Sequence, residues 1–141
     1  KWPDRALRAG LTGKAILDAQ IDAHGKVLSV QPVRGPQILN EAAADAVRHW
    51  TYSVTKLDGL PVPVLMTITV EFKLDKPPTR QDVLQSVDDS DPEIRWAAIR
   101  WLGRYRPVTS EQRSALERAA GDPVEMVRKA ADEALARLEK R

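Results

Sequence analysis

The chain has no cysteine, so disulfides, thiol nucleophiles and thiolate metal sites are excluded. It has two histidines, His24 and His49, too few for a histidine-rich metal centre. Aromatic residues make up 5% of the chain, so the core must rest on aliphatic side chains. No run approaches eighteen apolar residues, and no segment reads as a membrane span. An excess of one charge is missing too. Lys and Arg outnumber Asp and Glu by 22 to 20 despite a pI of about 9.1. Residues 1–74 carry nine basic and seven acidic residues, and residues 75–141 carry thirteen of each. Neither half makes the basic field that gathers phosphates, so nucleic acid is not expected as a partner. No Gly-x-Ser-x-Gly elbow, phosphate-binding glycine loop or converging carboxylate pair occurs, and no catalytic residue, cofactor or metal is expected. Glu41 and Asp45 lie one helical turn apart and read as a solvated helix face.

What is present falls into two grammars. Residues 62–74 alternate: Val64, Met66, Ile68, Val70, Phe72 and Leu74 share one parity, Leu65, Thr67, Thr69, Glu71 and Lys73 the other. This predicts a long strand with one buried and one polar face. Residues 14–22 alternate likewise, with Ile16 as the exception. His24-Gly25 supplies a turn into a second strand over 26–34, whose Pro32 marks an edge or a bulge. Pro3-Asp4 opens a short helix that Gly10 ends. Asn40 reads as the N-cap of a helix reaching about His49, with Ala43, Val47 and Trp50 as its apolar stripe. The fold expected of residues 1–75 is α+β: an antiparallel three-stranded sheet with two helices.

Asp75-Lys76-Pro77-Pro78 breaks this pattern and reads as a linker over 76–78. Residues 79–141 are written for helix alone, at about 80–88, 92–104, 110–120 and 123–139. They contain a repeat. Ile94-Arg95-Trp96-Ala97-Ala98 and Leu102 recur 33 residues later as Val127-Arg128-Lys129-Ala130-Ala131 and Leu135. Asp91-Pro92 and Asp122-Pro123 precede them with a two-residue slip. Such a period is the signature of an α-solenoid. Ile94, Ala98, Trp101 and Leu102 form the expected core face. Trp96 and Ile99 fall off it and, with Arg100, mark a possible second interaction surface. Arg95, Arg100, Arg104 and Arg106 make a mild basic ridge, expected to pair with Asp88, Asp89, Asp91 and Glu93.

Residues 2–74 resemble the C-terminal domain of TonB, the energy transducer of Gram-negative bacteria. The carrying stretches run in order: Trp2-Pro3, Arg8-Ala9-Gly10-Leu11-Thr12-Gly13, Ile21-Asp22-Ala23-His24-Gly25-Lys26-Val27, Leu39-Asn40-Glu41-Ala42-Ala43, Trp50-Thr51-Tyr52, Leu57-Asp58-Gly59 and Val62-Pro63-Val64. Residues 80–138 resemble short HEAT-like repeats, on the pattern Asp-Pro-x-x-Arg-x-Ala-Ala-x-x-x-Leu.

The TonB resemblance implies a non-enzymatic, periplasmic protein-binding module. An extended partner segment, the TonB box of an outer-membrane transporter, would add as a strand at the edge of 62–74. It would meet Leu65, Thr67, Thr69, Glu71 and Lys73, with Trp2 and Pro3 nearby. The helices would support or regulate that binding. The resemblance further implies energy transduction for transport and an inner-membrane anchor upstream of Lys1. The same strand edge invites homodimerisation. The alternative is a C-terminal sensor or adaptor domain of a multi-spanning membrane signalling protein of the antirepressor metallopeptidase type, without a transporter partner.

Overall fold

The computed structural model describes residues 3–140. The chain forms two compact units: one holds Thr12–Lys73, the other Asp4–Leu11 together with the chain from Leu74 onward.

The first unit is α+β. Strand β1 (Gly13–Ile21) lies at the centre of a three-stranded antiparallel sheet, with β2 (Val27–Arg34) on one side. The hairpin turn between them is closed by Asp22, whose Oδ1 accepts the N–H groups of His24 and Lys26 at 2.8 and 2.9 Å. Those two N–H groups, Lys26 first, hold the Asp22 carboxyl below its usual range. Gly25 sits at φ +87, the left-handed conformation the turn requires. Register shifts at Ile16/Leu17 and Gln20/Ile21 interrupt the β1–β2 ladder, and Pro32 lies within it opposite Leu17, on the outer strand that tolerates it.

Helix α2 (Gln37–Arg48) follows β2 and packs on β1 and β2. It starts three residues earlier than Asn40, which is not its N-cap. Pro36 holds that place, while Asn40 is buried and donates its Nδ2 to Gly35 O at 3.0 Å. Ala43 and Val47 are buried as expected, but Trp50 lies beyond the helix end and stays 45% exposed. A small hairpin then appears ahead of the long strand, where the strand pattern starts only at Val62: β3 (Thr55–Leu57) pairs with β4 (Leu60–Val62). Strand β5 (Val64–Phe72) completes the sheet on the other side of β1, in unbroken register from Gly13↔Phe72 to Ile21↔Val64.

The second unit is helical. Helix α1 (Asp4–Ala9) is joined by α3 (Arg80–Ser86), α4 (Pro92–Leu102), α5 (Ser110–Ala119) and α6 (Glu125–Leu138). Thr79 caps α3, accepting the N–H of Asp82 at 3.1 Å. Thr109 and Gln112 form a reciprocal capping box on α5. Gln112 is also fully buried and donates to Leu102 O at 2.6 Å, pinning α5 to the end of α4. Helix α4 packs against α1, α3, α5 and α6. This central position explains its broad apolar surface and corrects one expectation: Ile99 is fully buried and is not part of an interaction surface.

Helix α1 is adjacent in sequence to β1 but packs with α3 and α4. Gly10, at φ +68, turns the chain there, and Trp101 Nε1 donates to its carbonyl at 3.0 Å. A Cβ on Gly10 would stand 2.2 Å from that indole nitrogen, so no other residue fits the place without movement.

Candidate functional site

Strand β5 has one neighbour. The sheet order is β2-β1-β5, and no other described strand pairs with its outer edge. Main-chain N–H and C=O groups of alternate β5 residues point to β1; those of the intervening residues point outward, available to a further strand. The alternation read from the sequence persists along the strand. Leu65, Thr67, Thr69 and Glu71 are exposed, Leu65 at 68%. Thr67 is partly engaged, its hydroxyl donating to Asp18 Oδ1 across the ladder at 2.8 Å. Lys73 lies just past the strand end and pairs with Glu71 at 3.4 Å.

The opposite face departs from expectation. Val64, Ile68 and Val70 are only half-buried, and Met66 is 37% exposed; Phe72 alone is buried. Helix α2 reaches β1 and β2 but does not extend over β5, and α1 packs in the helical unit. Leu17 and Ala19 on β1, under α2, are fully buried by contrast. Pro3 is half-buried ahead of α1. Trp2 lies outside the described residues.

On the helical unit, Trp96 is half-buried with the Arg100 guanidinium 4.7 Å from its ring centre. Both line a groove of about 570 Å³ between α4 and α6, where Met126 is exposed and Glu125 pairs with Lys129 at 3.6 Å. Two of the three residues marked as a second surface therefore share an open groove.

The charged pairs differ from those expected. Asp89 is held by Arg5 of α1, with Nε at 3.0 Å and Nη2 on the second carboxylate oxygen. Arg95 pairs with the Asp122 carboxylate rather than with that of Asp89, with Nε at 2.8 Å and Nη2 at 3.1 Å. Arg104, like Arg100, lies over a tryptophan, 4.8 Å from the Trp101 ring centre. The Arg5 hydrogen bond chiefly holds the Asp89 carboxyl below its usual range. Burial pushes Asp122 up, but the Arg95 hydrogen bond and the Val124 N–H outweigh it, and the net shift is downward.

These pairings escaped the sequence reading for a definable reason. The Asp-Pro slip hid the structural equivalence, which is Asp89 with Asp122, 33 residues apart, not Asp91 with Asp122. A search for the aspartate six residues before each repeat arginine would have found it. Among the described residues, no His, Asp and Glu grouping could hold a metal ion. No described helix is long and apolar enough to cross a membrane.

Comparison with known proteins divides the chain near Leu74 and keeps α1 in the first matched segment, although α1 packs with the helices. Residues 1–74 match the family model of the C-terminal domain of the Gram-negative bacterial TonB protein, and residues 70–140 match that of HEAT repeats. Protein TonB of Xanthomonas campestris pv. campestris is 34% identical over 76 residues, covering 52% of this chain and 34% of its own. Protein TonB of Vibrio cholerae serotype O1 is 30% identical over 77 residues, covering 53% of this chain and 32% of its own. The chain thus spans about a third of the length of these curated relatives. No solved structure matches it significantly. With the sheet, its open strand and the matched segment in agreement, the chain belongs to the TonB C-terminal family and carries a HEAT-repeat segment behind that domain.

Proposed function

We propose that this chain is a periplasmic protein-binding module that captures an extended partner segment by strand addition at the outer edge of β5. The observation that carries the reading is the unpaired edge of a nine-residue strand whose exposed side chains are mostly polar. Added main-chain hydrogen bonds contribute about 0.5–1.5 kcal/mol each, enough in sum for a reversible complex. Leu65, Thr67, Thr69, Glu71 and Lys73 select among segments, and the family resemblance adds Trp2 and Pro3 as further binding residues. The names of the relatives support the further proposal that the partner is the TonB box of an outer-membrane transporter, and that the module serves energy transduction from an inner-membrane anchor. The module needs no cofactor and performs no catalysis on this reading.

The test uses the intact chain and two synthetic TonB-box peptides, one natural and one N-methylated at alternate amides. Addition as a strand shifts the amide resonances of Val64–Phe72 on titration with the first peptide. N-methylation weakens binding at least tenfold, because half of the ladder is removed. Equal binding of both peptides, or shifts confined to other residues, refutes strand addition.

The same unpaired edge supports a second reading, a homodimer formed by β5 against β5 of another copy. Sedimentation equilibrium decides it. A dimer that dissociates as the peptide is added would place both on one edge.

A further inference from the structure

The loops before α4 and α6 are built alike, 33 residues apart. Asp89 Oδ1 accepts the N–H of Asp91 at 2.9 Å, and Asp122 Oδ1 accepts the N–H of Val124 at 2.9 Å. Arg95 Nη1 donates to Asp89 O at 2.9 Å, and Arg128 Nη1 donates to Asp122 O at 2.8 Å. Each loop aspartate then receives the Nε–Nη2 edge of an arginine from an earlier helix: Asp89 from Arg5 on α1, Asp122 from Arg95 on α4. The result is a ladder of forked arginine–aspartate rungs. Arg128 ends it. Its Nη1 is anchored as that of Arg95 is, yet among the described residues its Nε–Nη2 edge meets no carboxylate.

We propose that this edge of Arg128 is a carboxylate-recognition site, and that the α6 end of the array docks a helix pair of a partner chain through an aspartate in that pair's loop. The ligand chemistry follows from the two filled rungs, where the same edge takes an aspartate in bidentate fashion. A carboxylate matches both N–H groups of the fork, whereas a carboxamide matches only one. The bond to Asp122 O already orients the guanidinium, which lowers the entropy lost on capture. The surroundings select a partner chain over a following repeat. Along the same face of α6, Asp132 and Glu139 are exposed and Leu135 is half-buried. A covalently stacked repeat would need an apolar face there, as Ile99 and Leu102 supply at the equivalent places on α4, both fully buried. A polar face suits a partner that binds and leaves.

The partner is replaced in the test by a tethered probe, a copy of residues 108–140 joined after Lys140. This sets the added loop aspartate 27 residues beyond Arg128, as Asp122 lies 27 beyond Arg95. The tether supplies an effective concentration of about millimolar order. The Arg128 Nε–H resonance is read with the probe and with a probe carrying asparagine in place of that aspartate; the Arg128→Lys variant of the extended chain is read at the Asp122 and Val124 amides. Recognition shifts the resonance and slows its exchange with the aspartate probe only, and the added helices melt separately from the array. No shift, or an equal shift with the asparagine probe, overturns the carboxylate site. In the Arg128→Lys chain, helix content measured by circular dichroism stays unchanged while amide shifts at Asp122 and Val124 caused by the probe are lost; their persistence also overturns it. A single merged unfolding transition with a raised midpoint assigns the surface to a following repeat, and overturns the partner chain.

Discussion

The two units spend similar sequence resources differently. In the sheet unit one helix covers two strands, and the third keeps a half-open inner face and a free edge. In the helical unit α4 is surrounded by four helices, and its Ile94, Ala98, Ile99 and Leu102 are fully buried. The lesson is that alternation in a sequence specifies which face of a strand is apolar, not how much of that face is covered. Coverage depends on where neighbouring helices go, and α1 goes to the helices. The helical unit gains a closed interior. The sheet unit retains a surface on which another chain can build.

The sharpest way to break the contrast is by core truncation. Leu102→Ala should cost about 2–5 kcal/mol, and Leu17→Ala under α2 a similar amount, since both side chains are fully buried. Met66→Ala on β5 should cost about 1 kcal/mol or less, because the side chain is 37% exposed. Urea denaturation of the three variants checks the order. A loss at Met66 as large as that at Leu17 would mean that the β5 face is covered in solution.

The rungs of the ladder should differ next. Arg95 and Asp122 have side chains only 15% and 10% exposed, so Arg95→Ala leaves a nearly buried carboxylate and should cost about 3 kcal/mol, the low end for a broken buried pair. The Arg5 side chain is 48% exposed, and Arg5→Ala should cost about 1 kcal/mol at most. Thermal unfolding of the two variants measures the difference, and high salt should shrink only the second effect.

Acid should act on the same pairs. Asp89 and Asp122 both titrate below their usual range when folded. Their contribution to stability is therefore complete above the unfolded carboxylate pKa of about 3.9 and is lost as pH falls through the lower folded values. Asp122→Asn should flatten the decline of the melting temperature between about pH 4 and pH 2. An unchanged slope would remove the rung from the account of acid stability.

The smallest effect belongs to a helix start. Thr109→Ala removes the capping box of α5 and should cost about 1 kcal/mol, within the helical unit alone.

Much of this was legible before the fold. The β5 alternation, the turn at His24-Gly25 and helix α1 are local patterns that backbone preferences produce, and the thirty-three-residue period shows as a direct repeat of residue types. The strand ends, the Pro36 start of α2 and the β3–β4 hairpin were not legible in the same way. Prolines at 61 and 63 and a burial near Asn40 override the simple periods there.

The sequence by itself determined the family, the two grammars and the parity of β5, because side-chain period follows from backbone geometry within a single element. Only the tertiary structure decided that α1 joins the helices and that Ile99 is sealed from solvent. It also decided that Arg5, Arg95 and Arg128 stand in one ladder whose last fork meets no carboxylate among the described residues. The physical reason is that burial and ion pairing depend on which elements meet, and residues 84 or 27 positions apart carry no local signal of their meeting.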